Sequence, residues 1–273
     1  MSDISTRQVR QLDPKAGDAL RLVQITDCHI FADEGERLQG IDTRQSFAAV
    51  KDAVATHNDS LDLLLATGDL SQDGSAESYA WLARQFDAIG LPTFWLPGNH
   101  DEPGVMERHF TAQRIDASRQ IVAGAWQIVL LDSTLAGEVH GRVSEAELEF
   151  MDAALGRYPH RHALVCLHHQ ALAAGSEWLD SKGLRDAQQL RERLLRHDNL
   201  RAVLWGHVHQ EAHHRSDGVE WMSTPSSCVQ FAPGSREFTT DSAAPGYRQL
   251  RLDADGGIET TVIRVEVFDP GVA

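Results

Sequence analysis

The sequence predicts an α/β fold in which two sheets pack face to face with helices outside. Three observations predict it. Apolar runs of strand length alternate with helical periodicities as far as residue 205. The helical signal then disappears after residue 210, leaving strand-like runs alone. No repeat, low-complexity tract or long linker divides the 273 residues. Both halves are therefore expected to supply strands to one domain, residues 1–273, with a β-rich C-terminal part at about 215–268.

Each element has its own justification. RLVQIT (21–26), LDLLLAT (61–67) and PTFWL (92–96) are short apolar runs. Between the first two, Phe47, Val50 and Val54 recur at helical spacing behind Asp42, a side chain suited to capping a helix. Between the second two, Tyr79, Leu82, Phe86 and Ile89 share one face and Gly90 ends it. This β-α-β-α-β order predicts parallel strands with helices packed on them. AWQIVLLD (125–132) and HALVCLHH (162–169) are again strand-like. The helix between them has a capping box, Ser144 with Glu147, ahead of Leu148, Met151 and Leu155. A helix using Leu190 and Leu194 follows, then the strand RAVLW (201–205). VEWMS (219–223), GYRQLRLD (246–253) and IETTVIRVEVF (258–268) read as strands, the last two joined by a turn at ADGG.

Composition limits the function. Hydrophobic residues at 42% and charged residues at 24% are ordinary for a soluble globular protein. A net charge of −15 repels polyanions, which argues against a nucleic-acid partner, although a small anion can bind wherever positive charge is concentrated. Cys28, Cys166 and Cys228 are widely spaced with no CxxC pair, as expected of reduced thiols in the cytoplasm. The first nineteen residues are polar and carry no secretory signal. No run reaches the ~18–20 apolar residues of a membrane span. Fourteen histidines are a high share, so their positions carry information.

Those positions converge on strand ends. TDCH, GD, GNHD, HH and GHVH each follow an apolar run, placing Asp27 and His29, Asp69, Asn99 and His100, His168, and His207 with His209 there. Open α/β sheets bind ligands beyond the carboxyl ends of their strands. If LWGHVHQ is extended, His207 and His209 project to one side, and the same period pairs Asp27 with His29 while Cys28 turns to the core. Gly68, Gly98 and Gly206 mark the strand-to-loop transitions. Buried Asp, Asn and His side chains would be expensive without a cation to satisfy them. The set is too large for one ion. It suits two hard-to-borderline ions such as manganese, iron or zinc, with one carboxylate as a bridge. No cysteine joins it, which disfavours a structural zinc site.

The pattern D-x-H…G-D…G-N-H-D…H…G-H-x-H resembles the calcineurin-like metallophosphoesterase superfamily over residues 21–210. Within it, GDLSQDGSAESY, HHQALAAGSEWLDSKGLRD and TPSSCVQFAPGS resemble the bacterial class III cyclic-nucleotide phosphodiesterases of the CpdA type, which hydrolyse 3′,5′-cyclic AMP. The resemblance implies a four-layer αββα sandwich with two mixed sheets. It implies Asp27, His29 and His209 on one metal, Asn99, His168 and His207 on the other, and Asp69 bridging. His169 is the rival to His168, which is favoured. His100 would be free of metal and, with Asn99, catalytic, contacting the phosphate and helping the leaving oxygen depart. Substrate contact is implied at His29, Asp69, Asn99, His100 and His209. The expected reaction is in-line attack on phosphorus by a water that two metal ions, iron or manganese foremost, bridge and deprotonate, giving 5′-AMP. A metallophosphoesterase with another diester or monoester as substrate, and a silent scaffold of the same fold, are the alternatives. The partner is a small cyclic nucleotide, with the chain a monomer or homodimer.

One position departs from a relative within the superfamily. Phosphoprotein phosphatases have an aspartate three residues after the bridging one, partnering the catalytic histidine. Here Gln72 stands there, with Asp73 next, and a neutral amide does not stabilise an imidazolium in the same way. His140 and Arg142 are candidates to approach the phosphate from a loop. Trp178 and Leu179 are candidates for an apolar wall beside a purine, and His213 and His214 are expected on an exposed turn.

Overall fold

The structure is a computed structural model that describes residues 9–15, 17 and 19–266. In chain order its elements begin β1 (Val9–Leu12), β2 (Leu20–Ile25), α1 (Thr43–Ala55), β3 (Leu63–Thr67), α2 (Ala76–Ile89), β4 (Thr93–Leu96), α3 (Pro103–His109), β5 (Ile115–Asp116), β6 (Gln120–Ala123) and β7 (Trp126–Leu130). They continue with α4 (Glu145–Arg157), β8 (His162–Cys166), α5 (Glu177–Asp180), α6 (Ala187–Leu194), β9 (Leu200–Trp205), β10 (Ala212–Ser216) and β11 (Val219–Ser223). The last are β12 (Gln230–Phe231), β13 (Thr240–Asp241), β14 (Gly246–Leu252) and β15 (Ile258–Arg264).

Two mixed sheets result. One runs β1-β6-β7-β8-β9-β11-β10 and the other β15-β14-β2-β3-β4-β5, with β12 and β13 forming a separate ribbon. The β-rich C-terminal part is shared between the two: β10 and β11 extend the first sheet, while β14 pairs antiparallel with β2 in the second. As expected, β2, β3 and β4 are parallel neighbours, and so are β7, β8 and β9.

Side-chain alternation builds four layers from these sheets. Leu22, Leu63, Leu65 and Phe94 of one sheet meet Ile128, Leu164, Ala202 and Leu204 of the other in a single buried cluster. The intervening positions Val23, Ile25, Leu64 and Ala66 pack outward with Phe47, Val50, Tyr79, Leu82 and Phe86 of α1 and α2. On the far side, Val129, Val165 and Val203 pack with Leu148, Met151 and Leu155 of α4 and Leu190 and Leu194 of α6. Each such side chain contributes roughly 1.5–3 kcal/mol on burial. The result is the expected αββα sandwich. Both sheet faces are covered, which explains why β3 is buried at every position.

Departures from the sequence reading have local causes. β1 and β10 (VRQL and AHHRS) are edge strands whose polar residues hide the strand signal. His213 and His214 therefore sit on strand β10, not on a turn, and His213 pairs with Glu220 at 2.8 Å. The strand through HALVCLHH stops at Cys166, and the final strand stops at Arg264, residues 267 and 268 lying outside the described set. Ser144 caps the Glu147 amide as expected, but the reciprocal half of the box is missing. The Glu147 carboxylate is instead held by Arg119 and the Asp132 amide.

Candidate metal centre

The loops that leave β2, β3, β4, β8 and β9 meet at one rim of the sandwich, and their side chains fall into overlapping groups. Asp27, His29 and His209 form one, Asp69, His168 and His207 another, and His29, Asp69 and His100 a third. Within each, the donor atoms lie within 4.8 Å of one another. Asp69 joins the first two groups: its Oδ2 is 3.8 Å from His29 Nε2 and 3.3 Å from His168 Nε2. Asp27 Oδ1 faces His209 Nε2 at 3.3 Å and His168 Nε2 at 4.0 Å.

Local backbone geometry delivers these groups in a way the extended-strand reading did not anticipate. β2 ends at Ile25 and β9 at Trp205, so neither D-x-H nor H-x-H lies on a strand. Asp27, His29, His207 and His209 are left-handed instead, with φ of 54, 48, 64 and 49°, and Asp69 matches them at 49°. The expected alternation is thus corrected. Two successive left-handed bends point His207 and His209 into different groups, where an extended chain would aim both at one. Gly206 explains how the loops approach. A Cβ there would collide with the Thr26 hydroxyl and the Asp27 carboxylate. Cys28 is fully buried in the outer core, as expected.

Hydrogen bonds fix which ring nitrogen faces inward. His209 Nδ1 donates to the Val229 carbonyl at 2.7 Å, and His168 Nδ1 to the Thr67 carbonyl at 2.9 Å. His29 Nδ1 lies 2.7 Å from Gln72 Oε1, again an acceptor. With each Nδ1 held by an acceptor, each ring turns its Nε2 to the centre, where it can offer a lone pair to a cation. The Nε2 atoms of His29 and His209 then lie 3.1 Å apart, lone pair against lone pair. The buried Nε2 of His168 and of His207 and the buried Oδ1 of Asn99 have no hydrogen-bond partner. Such an arrangement is repulsive on its own and is satisfied by cations, so the donor set fits metal ions.

Adjacent residues explain the rest of the geometry. His169, the rival ligand, is turned away. Its Nε2 donates to the Val139 carbonyl at 3.1 Å and its Nδ1 meets the Ser133 hydroxyl at 2.8 Å, leaving no lone pair for a metal. Burial holds His29 and His169 down to about 3, so both are neutral imidazoles at neutral pH. Burial also pushes His168 down, but the Asp69 carboxylate beside it prevails and raises it to about 9. Without a cation, a proton takes the cation's place there.

Asp101, which closes the GNHD motif and is not among the residues the sequence pattern singles out, is a buried support of the site. Its carboxylate accepts from the Leu70, Ser71 and Gly98 amides and the Tyr79 hydroxyl, binding the Asp69 loop to the Asn99 loop. His100 completes that junction through its amide, which donates to Asp69 Oδ1 at 2.8 Å. Its ring stands edge-on to His29 at 5.0 Å. The weaker candidates fall elsewhere. His140 pairs with Glu138 and the largely exposed Arg142 with Asp186. Leu179 is core, whereas Trp178 forms an aromatic cluster with Phe231 and Phe238, and Phe231 stacks on His209 at 4.0 Å.

Known proteins share both sequence and fold with this chain. The family model described as calcineurin-like phosphoesterase matches residues 20–211. A Pseudomonas aeruginosa protein named 3′,5′-cyclic adenosine monophosphate phosphodiesterase CpdA is 43% identical over 254 residues, 93% of each chain. A Nostoc sp. protein named 3′,5′-cyclic-nucleotide phosphodiesterase alr5338 is 37% identical over 246 residues, 90% of this chain and 92% of its own. Among solved structures, a dimetal phosphatase from Danio rerio has the same fold, with a TM-score of 0.61 and 16% identity over 90% of this chain and 99% of that one.

Proposed function

The chain belongs to the calcineurin-like phosphoesterase family, and from that premise we propose that it hydrolyses 3′,5′-cyclic AMP to 5′-AMP at a two-metal centre. The observation that carries the reading is the pair of facing Nε2 lone pairs on His29 and His209, 3.1 Å apart and fixed in that tautomer by Gln72 and Val229. Asp27, His29 and His209 would hold one ion, Asn99, His168 and His207 the other, and Asp69 would lie between them. Iron and manganese suit this mixture of imidazole, carboxylate and amide donors, with zinc a further candidate. Bound there, the ions would supply Lewis-acid charge and an activated water for attack on phosphorus.

The chain's own residues do the remainder. With two divalent cations bound, Asp69 and Asp27 would leave a net positive charge, so the centre would be locally positive within a protein of net charge −15. That polarity admits a small phosphodiester and still repels a long polyanion. Asn99 keeps a buried amide oxygen without a hydrogen-bond partner, and His100, held to Asp69 through its backbone amide, would offer a ring to the phosphate and the leaving oxygen. Choice of substrate rests on the identity to the Pseudomonas aeruginosa protein, which extends over 93% of the chain. The three described cysteines are buried free thiols, in keeping with a reducing cytoplasm. No helix among the described residues is long and apolar enough to cross a membrane.

The test is a substrate panel on protein loaded with manganese or iron, with metal content measured in parallel. Cyclic AMP is expected to turn over faster than phosphomonoesters and phosphopeptides. Asp69→Ala and His209→Ala are expected to lose at least roughly 100-fold, since even outer partners of metal ligands are worth 10–100-fold. Near-wild-type hydrolysis by either variant with metal bound would overturn the centre. Faster turnover of monoesters would overturn the substrate.

A further inference from the structure

Gln72 lies between two imidazoles of the site, His29 and His100. Its backbone amide donates to the Ile30 carbonyl at 2.9 Å, pinning the loop after β3 to the loop that carries His29. Its side chain then spans two rings: Oε1 is 2.7 Å from His29 Nδ1, and Nε2 is 3.0 Å from His100 Nδ1.

A carboxamide has a fixed polarity. Its oxygen only accepts and its nitrogen only donates. In the proposed centre His29 Nε2, 3.1 Å from His209 Nε2, is a metal-facing lone pair, so its proton is on Nδ1 and the partner there must be the amide oxygen. The NH2 end is therefore left to donate to His100, whose Nδ1 must offer a lone pair. The proton of a neutral His100 then sits on Nε2. We propose that Gln72 is a positioning residue that holds His100 as the Nε2–H tautomer, so that the ring donates a hydrogen bond from Nε2 to the departing oxygen of the bound diester. This rests on the phosphodiesterase reading above. A carboxylate at the same place would accept from both rings; it would draw the proton of a neutral His100 to Nδ1 and leave Nε2 bare, and Nε2 would donate only if the ring took a second proton as imidazolium. The amide thus makes the neutral ring a donor, where the acid would require the doubly protonated one.

Two readouts test it on zinc-loaded, diamagnetic protein and its Gln72→Glu and Gln72→Leu variants. Side-chain nitrogen NMR is expected to find His100 protonated at Nε2 and bare at Nδ1 in the wild type, with Nδ1 protonated in Gln72→Glu. A His100 proton found on Nδ1 in the wild type overturns the proposal. In kinetics, Gln72→Leu with unchanged metal content, and Gln72→Glu at a pH that leaves the ring neutral, are expected to lose about 10–100-fold in kcat for cyclic AMP, the usual effect of removing a partner of this kind. Hydrolysis of a p-nitrophenyl diester, whose leaving group needs no hydrogen bond, should change little. Equal loss on both substrates overturns the proposal. A wild type that ignores cyclic AMP but cleaves the nitrophenyl diester would refute the substrate reading, and the NMR result would still decide the tautomer.

Discussion

Asp27, His29, Asp69, His207 and His209 all hold φ between 48 and 64°, a region that costs an ordinary residue roughly 1–2 kcal/mol. Asp and His tolerate it better than most side chains, and five strained candidate donors in one cluster indicate that the surrounding packing over-determines them. Gly206 is part of that packing. Gly206→Ala is expected to destabilise the fold by about 1–3 kcal/mol, the range for overpacking, and to lower metal content. Denaturant unfolding and metal quantification check it, and an unperturbed, fully loaded variant would refute the close approach. Titration of the metal-stripped protein is a second expectation. His168 is raised from 6.5 to about 9, so its contribution to stability is complete below 6.5 and is lost as pH rises through about 9. His29 and His169, held near 3, act oppositely, their contribution being lost as pH falls from 6.5 towards 3. Asp101, raised to about 6 by burial and Asp69, opposes those two between 3.8 and 6. His207, also pushed well down by burial, acts with those two imidazoles, and together they outweigh one carboxyl, so stability of the stripped protein should peak near pH 6.5, and denaturant midpoints across pH measure it.

Elements explain how such distant residues meet. β2, β3 and β4 belong to one sheet and β8 and β9 to the other, yet all five end at the same rim. The helices that return the chain between parallel strands make this possible, and α1 is the clearest case. Asp42 caps it by accepting from the Gln45 amide, and Phe47 is buried against Phe86 and Trp81 at 5.2 and 5.8 Å. Phe47→Ala is expected to cost about 3–5 kcal/mol in a denaturant titration. A loss below 1 kcal/mol would mean that α1 is not packed as described. These central elements were legible in the sequence because their burial repeats with a fixed period. β1 and β10 were not, since an edge strand buries too little to impose alternation: β10 exposes His213, His214 and Arg215 in succession. Nor was the two-residue spacing in GHVH a sign of extended chain, because a pair of left-handed bends has the same spacing.

At the scale of the whole molecule, the centre is a joint between two sheets and its occupancy should be felt globally. A cation that binds only the folded state stabilises it by about 2.7 kcal/mol at 100 times its Kd. Removing metal with a chelator should therefore lower Tm by several degrees and readdition restore it; an unchanged Tm would argue against a centre spanning the loops. The sequence by itself determined the elements of the sandwich and the chemistry of the donor set, because periodicity and the residues at strand ends are local properties. Only the tertiary structure decided which atoms face the centre. His168 turns inward because the Thr67 carbonyl, on another strand, takes its Nδ1 proton, while Ser133 and Val139 occupy both nitrogens of His169. Val229 does for His209 what Gln72 does for His29. A ring's tautomer is set by its hydrogen-bond partner, and each of these partners is brought there by folding, not by adjacency in the chain.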